Sequence, residues 1–185
     1  MTPRADAVRS RSRIIEAARA HDPRALRLND VARDAGVGIG TVYRHFPTPR
    51  ALVEALSLDA LERLAEAGRQ AAAEPDPAEA LRGLLATALR LQLEDAGLEA
   101  LLTDMARDEP AVHDACSAAR GQIFHGYEAV LLRAQRAGIV RADLTAGRLH
   151  RLICGIEHAV RLGVRSDESL LLDILLAGIS APTPS

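Results

Sequence analysis

Residues 28–45 read LNDVARDAGVGIGTVYRH, and this stretch decides the fold. Asn29 to Ala35 predicts a short helix stopped by Gly36, and a second short helix is expected from about Ile39 to His45. Two helices that cross tightly need a small residue at the approach, and Ala32 supplies it. They need a residue that tolerates positive φ at the turn four positions on, and Gly36 supplies that. Val31, Ala35, Val37 and Val42 fall at the offsets that face the junction. The pattern is that of a helix-turn-helix.

Working outward, residues 6–20 predict a preceding helix with Val8, Ile14, Ile15 and Ala18 on its buried side. His21-Asp22-Pro23 ends it, because the residue before proline avoids helical geometry. Downstream, Phe46-Pro47 breaks the chain, Thr48 can cap the next helix, and Pro49 stands at its first position, where a missing N–H costs nothing. That helix is expected to reach about Ala73. Glu74-Pro75-Asp76-Pro77 is a stop and restart with Asp76 as cap, and a helix follows to about Glu94. Gly97 separates it from a short helix ending near Arg107, and Pro110 opens a long one to about Ala137. After a turn at 138–143, Thr145 caps a helix that Gly163 closes past Leu162. Ser166 or Asp167 starts the last, which ends near Ile179. The expectation is an all-α chain of about nine helices. A three-helix DNA-binding domain is expected over 1–48, a second, helical domain over 49–180, and a disordered tail over 181–185.

Composition agrees. Hydrophobic residues make up 48% of the 185 but aromatic ones only 2%, so the core must be aliphatic, which suits helix packing. The net charge of −2 hides an asymmetry. Residues 1–50 hold ten Arg against five acids, a balance of +5, and the remainder holds thirteen against twenty, −7. A basic head on an acidic body is the footprint of nucleic-acid binding. All the basic charge is arginine, as in a GC-rich genome. Cys116 and Cys154 form neither a CxxC nor a disulfide framework. No apolar run reaches the roughly 18 residues of a membrane span, and no apolar stretch follows the arginine-rich N-terminus, so a cytoplasmic protein is expected.

The run AGVGIGTVYRHFPTPRALVEAL (residues 35–56), with RSRIIEAA (11–18) before it, resembles the signature of the TetR family of transcriptional repressors. The resemblance implies a homodimer that binds a palindromic operator in double-stranded DNA and is released by a small-molecule effector. It implies that Gly38, Ile39, Gly40, Thr41, Tyr43 and Arg44 face the major groove, with Thr41, Tyr43 and His45 touching phosphates. Phosphate contacts position a protein without reading sequence. The residues fit this. Gly38 and Gly40 leave backbone N–H groups open, and Arg44 is the long side chain able to fork onto guanine or onto a phosphate. Two positions depart from the family pattern. Arg27 stands where the family has a capping Thr or Ser, so Asn29 is the alternative cap. Pro49 stands where it favours Lys, so Arg50, with Thr48 beside it, is expected to supply the contact.

In the second half, Leu149, Leu152, Ile153, Ile156, Ala159, Val160 and Gly163 follow a single helical seam. The final helix, with Leu170, Leu171, Leu172, Ile174, Leu175, Leu176 and Ile179, is apolar almost all round. One face meets its own domain and the other needs a partner, unless the helix is central to the monomer's core. The resemblance implies pairing of these two helices with their mates, and Leu149, Leu152, Ile156, Val160, Leu171, Ile174 and Leu175 are the expected contacts. On the long helix, Val112, Cys116, Ala119, Ile123, Tyr127, Val130 and Ala134 form one stripe. Cys116 and Tyr127 put polar atoms on that surface, as effector pockets do, and Phe124 and Met105 can join them; ordinary core is the competing reading. His150, Cys154 and His158 recur every fourth residue. Three such sites over two turns do not converge on one ion, so neither metal nor other cofactor is expected. With no GxSxG, P-loop or HExxH, an enzyme is not expected, and Gly36, Gly38 and Gly40 follow no strand, which excludes a dinucleotide loop. The rival reading is a helical interaction module that has lost DNA binding.

Overall fold

The computed structural model describes residues 3–105 and 114–182. Among them run nine α-helices: α1 Pro3–Ala18, α2 Leu28–Asp34, α3 Ile39–His45, α4 Pro49–Ala73, α5 Pro77–Glu94, α6 Ala96–Met105, α7 Asp114–Arg136, α8 Ala146–Leu162 and α9 Glu168–Ile179. A single 3-10 turn at Arg165–Asp167, not expected from the sequence, leads into α9. The expected helix boundaries near Arg107 and Pro110 lie outside the described residues, as do 183–185 of the expected tail. Ala181 is tied down, its N–H donating to the Ile139 carbonyl at 2.9 Å.

The helix starts are set by side chains that accept otherwise orphaned backbone N–H groups. Thr48 accepts from Ala51 at 3.1 Å. Asp76 accepts from Ala78 at 2.8 Å, and Thr145 from Arg148 at 3.3 Å. Asn29 is a correction. The carbonyl receiving the first bonds of α2 is that of Arg27, from Asp30 (3.1 Å) and Val31 (3.2 Å), so Arg27 is the cap residue and Asn29 lies inside the first turn. No side chain fills that cap. Gly36 ends α2 at φ 61°; its N–H donates to Arg33 and that of Val37 to Ala32, the two bonds of a Schellman stop.

Helices α1 to α3 close a small core of Ile14, Ala18, Val31, Val42 and Phe46, all buried. Helix α4 leaves this head and enters the second core, where its main partner is α7. The two cross at Gly68 and Gly126: a Cβ on Gly126 would stand 2.9 Å from the Gly68 Cα. Backbones approach this closely only where neither helix has a side chain. Arg133 of α7 then donates to the last carbonyls of α4, Ala71 at 3.3 Å and Ala72 at 2.8 Å, where the helix dipole favours a cation. Helix α5 packs between α4, α7 and α8, and α9 closes over α8 and α5.

Candidate nucleic-acid interface and regulatory interior

Helix α3 shows two faces. Val42 and the following Phe46 are buried against α1 and α2, and the Arg11 guanidinium lies 5.3 Å over the Phe46 ring. On the outer face Gly38, Ile39, Gly40, Tyr43 and Arg44 are exposed, Tyr43 by 52%, and Thr41 and His45 are half-buried. The turn that presents them is clamped from behind by Arg13, whose Nη2 donates to the Ala35 carbonyl at 2.6 Å and the Gly36 carbonyl at 3.2 Å. Arg44 folds along its own helix, donating to the Gly40 carbonyl at 3.1 Å and to Thr41 Oγ1 at 2.9 Å. These exposed bonds are readily exchanged for a phosphate or base edge. Arg27, Asn29 and Thr48 are also exposed.

Arg50 is half-buried and turns back along α4, pairing with Glu54 at 3.3 Å, a carboxylate only 1% exposed.

In the body the expected effector residues separate. The Met105 side chain lies outside the described residues. Cys116 is buried against α4, its thiol donating to the Glu54 carbonyl at 3.7 Å, and burial, helped by the Glu54 charge, pushes the thiol up to about 11. Three turns along α7, Tyr127 and Phe124 belong to another cluster, so Cys116 is removed from their group. Phe124 and Tyr127 both meet the His150 ring edge-on, each at 6.1 Å between centroids. His150 Nε2 bonds to the Leu102 carbonyl at 2.9 Å, and the Cys154 thiol donates to Gln92 Oε1 at 3.6 Å. Gln92 and Glu157 were not singled out in the sequence. Both are buried, and Arg161 joins them, paired with Glu157 and donating to the Gln92 carbonyl at 2.7 Å. A Gln and a Glu interrupting apolar helix faces were the available signals. His158 is exposed, and among the described residues no group of three or more His, Cys, Asp or Glu could hold a metal ion.

Burial lowers the His150 pKa from its ordinary 6.5, outweighing the bond to Leu102 that raises it. The unfolded chain therefore binds this proton more readily than the folded one. Neutral His150 contributes its full stability above about 6.5 and loses it as the pH falls toward the lower folded-state value. Urea melts across this window are expected to show stability falling on acidification, with a shallower slope in His150→Asn. An unchanged slope would rule the histidine out as the source.

On the α8–α9 surface, the expected contacts also divide. Leu149, Val160 and Leu175 are buried inside their own subunit and are withdrawn as partner contacts, because α8 packs on α5 and α9, and α9 packs on α8 and α5. Leu152 and Ile174 are exposed, and Ile156 and Leu171 half-buried. Leu162, Val164 and Leu170 extend the exposed apolar surface, Leu162 being 77% exposed.

Arg24, in the loop between α1 and α2, reaches across to α6 and grips Glu99 with Nε at 3.0 Å and Nη2 at 2.7 Å. The head is thus joined to the body by α4 and by this ion pair. No helix among the described residues is long and apolar enough to cross a membrane.

A clamped helix-turn-helix presenting an open second helix, carried by α4 on a larger helical body, defines a helix-turn-helix transcriptional regulator with a separate regulatory domain. Residues 14–56 match the family model for bacterial regulatory proteins of the tetR family, and residues 76–181 match that of the SbtR-like transcriptional regulator C-terminal domain. The chain belongs to the TetR family of transcriptional regulators. Similar solved structures include the TetR regulator SCO0520 of Streptomyces coelicolor, 29% identical over 94% of this chain and 99% of that one, with a TM-score of 0.55. The ketosteroid regulator KstR2 of Mycobacterium tuberculosis is 23% identical over 93% and 95%, with a TM-score of 0.64. RolR in complex with resorcinol is 20% identical over 96% and 91%, with a TM-score of 0.60. No curated protein gives a significant match.

Proposed function

We propose that this regulator is a homodimeric repressor that grips a palindromic operator with one α3 from each subunit and lets go when a small molecule binds its body. The observation that carries the reading is the outer face of α3. Tyr43, Arg44, Ile39 and two glycines stand open to solvent while Val42 and Phe46 anchor the helix from behind. Dimerisation through α8 and α9 is supported by the large apolar side chains these packed helices leave exposed, Leu152 on α8 and Leu170 and Ile174 on α9. A two-fold axis there sets two α3 helices against half-sites ~34 Å apart. Effector release is supported by the buried polar cluster around His150, and by the resorcinol bound in the fold neighbour RolR. The effector acts by preferring the state in which α4 holds the heads out of register.

The test is an anisotropy titration against DNA from upstream of the protein's own gene and against scrambled DNA, at two salt concentrations. Specific binding that weakens steeply with salt is expected. Arg44→Ala is expected to cost about 1–3 kcal/mol if the side chain reads a base, and to weaken all sequences alike if it meets a phosphate. Equal, salt-insensitive affinity for both DNAs would sink the proposal.

A further inference from the structure

We infer that the Tyr127 hydroxyl anchors the effector, and that the effector is a neutral, largely apolar molecule carrying one strong hydrogen-bond-accepting oxygen, such as a carbonyl. The inference rests on the effector release proposed above and adds to it the chemistry of the ligand.

Tyr127 is 2% exposed, and among the described residues its hydroxyl is the buried side-chain oxygen or nitrogen without a hydrogen-bond partner. A buried tyrosine ordinarily finds a partner, because an unmade hydrogen bond leaves the hydroxyl's desolvation uncompensated. Phenylalanine would fill the same space without that penalty. The surrounding polar groups are already engaged within the protein. His150 Nε2 is held by Leu102, the Cys154 thiol by Gln92 Oε1, and the Gln92 amide by the Ala88 carbonyl at 3.3 Å. Among these four side chains, the phenol oxygen is the buried polar atom left without any partner.

The charges set the class of ligand. Burial, with the Cys154 charge behind it, pushes the phenol far up, so it stays protonated and donates. Burial also keeps His150 neutral. Of the α8 arginines, Arg151, whose charge acts on the His150 ring, is exposed to solvent, and Arg161 is committed to Glu157 and to the Gln92 carbonyl. An anionic ligand would therefore find no buried, uncommitted counter-ion here. Aromatic edges from Phe124 and His150 favour an apolar body. Phe124 and Cys154 are both half-buried. The same histidine connects outward: its partner Leu102 lies one turn along α6 from Glu99, which holds Arg24 of the DNA-binding head. An occupant that shifts His150 thus pulls on the helix gripping the head.

The experiment uses the full chain and three probes of matched shape: acetophenone, which accepts a hydrogen bond; ethylbenzene, which cannot; and benzoate, which is charged. The chain has no tryptophan and two tyrosines, so on a Tyr43→Phe background the emission reports Tyr127 alone. Acetophenone is expected to bind about tenfold more tightly than ethylbenzene, with benzoate weaker still. Tyr127→Phe, followed by ligand-observed NMR, is expected to bring acetophenone down to the level of ethylbenzene. Without any probe, that variant is expected to melt a few degrees higher than the parent. Equal affinity for acetophenone and ethylbenzene, a preference that survives in Tyr127→Phe, no binding of any probe up to its solubility, or a lowered melting temperature in the variant would each overturn the inference. Failure of the parent to bind operator would instead remove the repressor reading, since the probe titrations need no DNA.

Discussion

Gly126→Val is expected to lower the melting temperature by roughly 6–12 °C, as an over-packing cost of about 3 kcal/mol spread over a chain of this size. The reason is geometric. The Cβ alone would meet the Gly68 Cα at 2.9 Å and its carbonyl carbon at 3.3 Å, and these are backbone atoms that cannot rotate away. Relief requires α4 and α7 to separate, which opens the main helix contact of the body and also loosens the Arg133 grip on the end of α4. Because α4 carries the DNA-binding head, operator affinity should fall in whatever fraction stays folded. Gly121→Ala is the control. It lies on the same helix, with nothing within 4 Å of an added Cβ, and is expected to gain about 0.5–1 kcal/mol from reduced backbone entropy in the unfolded chain. Melts followed by circular dichroism decide it. A Gly126→Val protein as stable as the parent would show that the crossing is looser than described.

Why the fold was legible, and the site only partly so, follows from what each depends on. Thr48, Asp76, Thr145 and Gly36 act on backbone within a few residues of themselves, so their types and positions suffice to place helix ends. Which side of α3 lies open was legible for the same reason: the helix is short, one side must be buried, and Val42 and Phe46 mark that side. Legibility ended where a partner lies far along the chain or where two readings share one local pattern. Arg50 could point outward or back along its helix, and only the burial of Glu54 decides. The apolar positions of α8 fit a single seam on paper, yet helical periodicity does not say how a wide seam is shared between the core and a second molecule. Packing on α5 and α9 assigns Leu149 and Val160 to the core and leaves Leu152 outside. The cluster of Tyr127, His150 and Gln92 joins three helices, so no spacing within one of them announces it. The Arg24–Glu99 pair spans 75 positions and carries no local signature.

For the homodimer proposed above, Ile174→Arg is expected to give a monomer and to weaken operator binding by more than about tenfold. Ile174 is 57% exposed near the middle of α9, flanked by exposed Leu170 one turn before it. In a two-fold interface a residue near the axis meets its own copy, so a single substitution places two arginines in opposition. Their mutual repulsion, added to the desolvation of unpaired charge, costs several kcal/mol, enough to dissociate a dimer of ordinary affinity. Nothing inside the subunit opposes the change: the side chain already faces water in the isolated chain, so the folded monomer should melt as a well-formed helical protein. The consequence for DNA is indirect but large, because each monomer then holds only one half-site and loses the effective concentration that the tethered second head supplies. Sedimentation velocity measures the assembly, and anisotropy on the same preparation measures operator binding. A variant that still sediments as a dimer would move the interface away from this face. One that becomes monomeric yet binds operator as tightly as the parent would break the link between dimer symmetry and recognition.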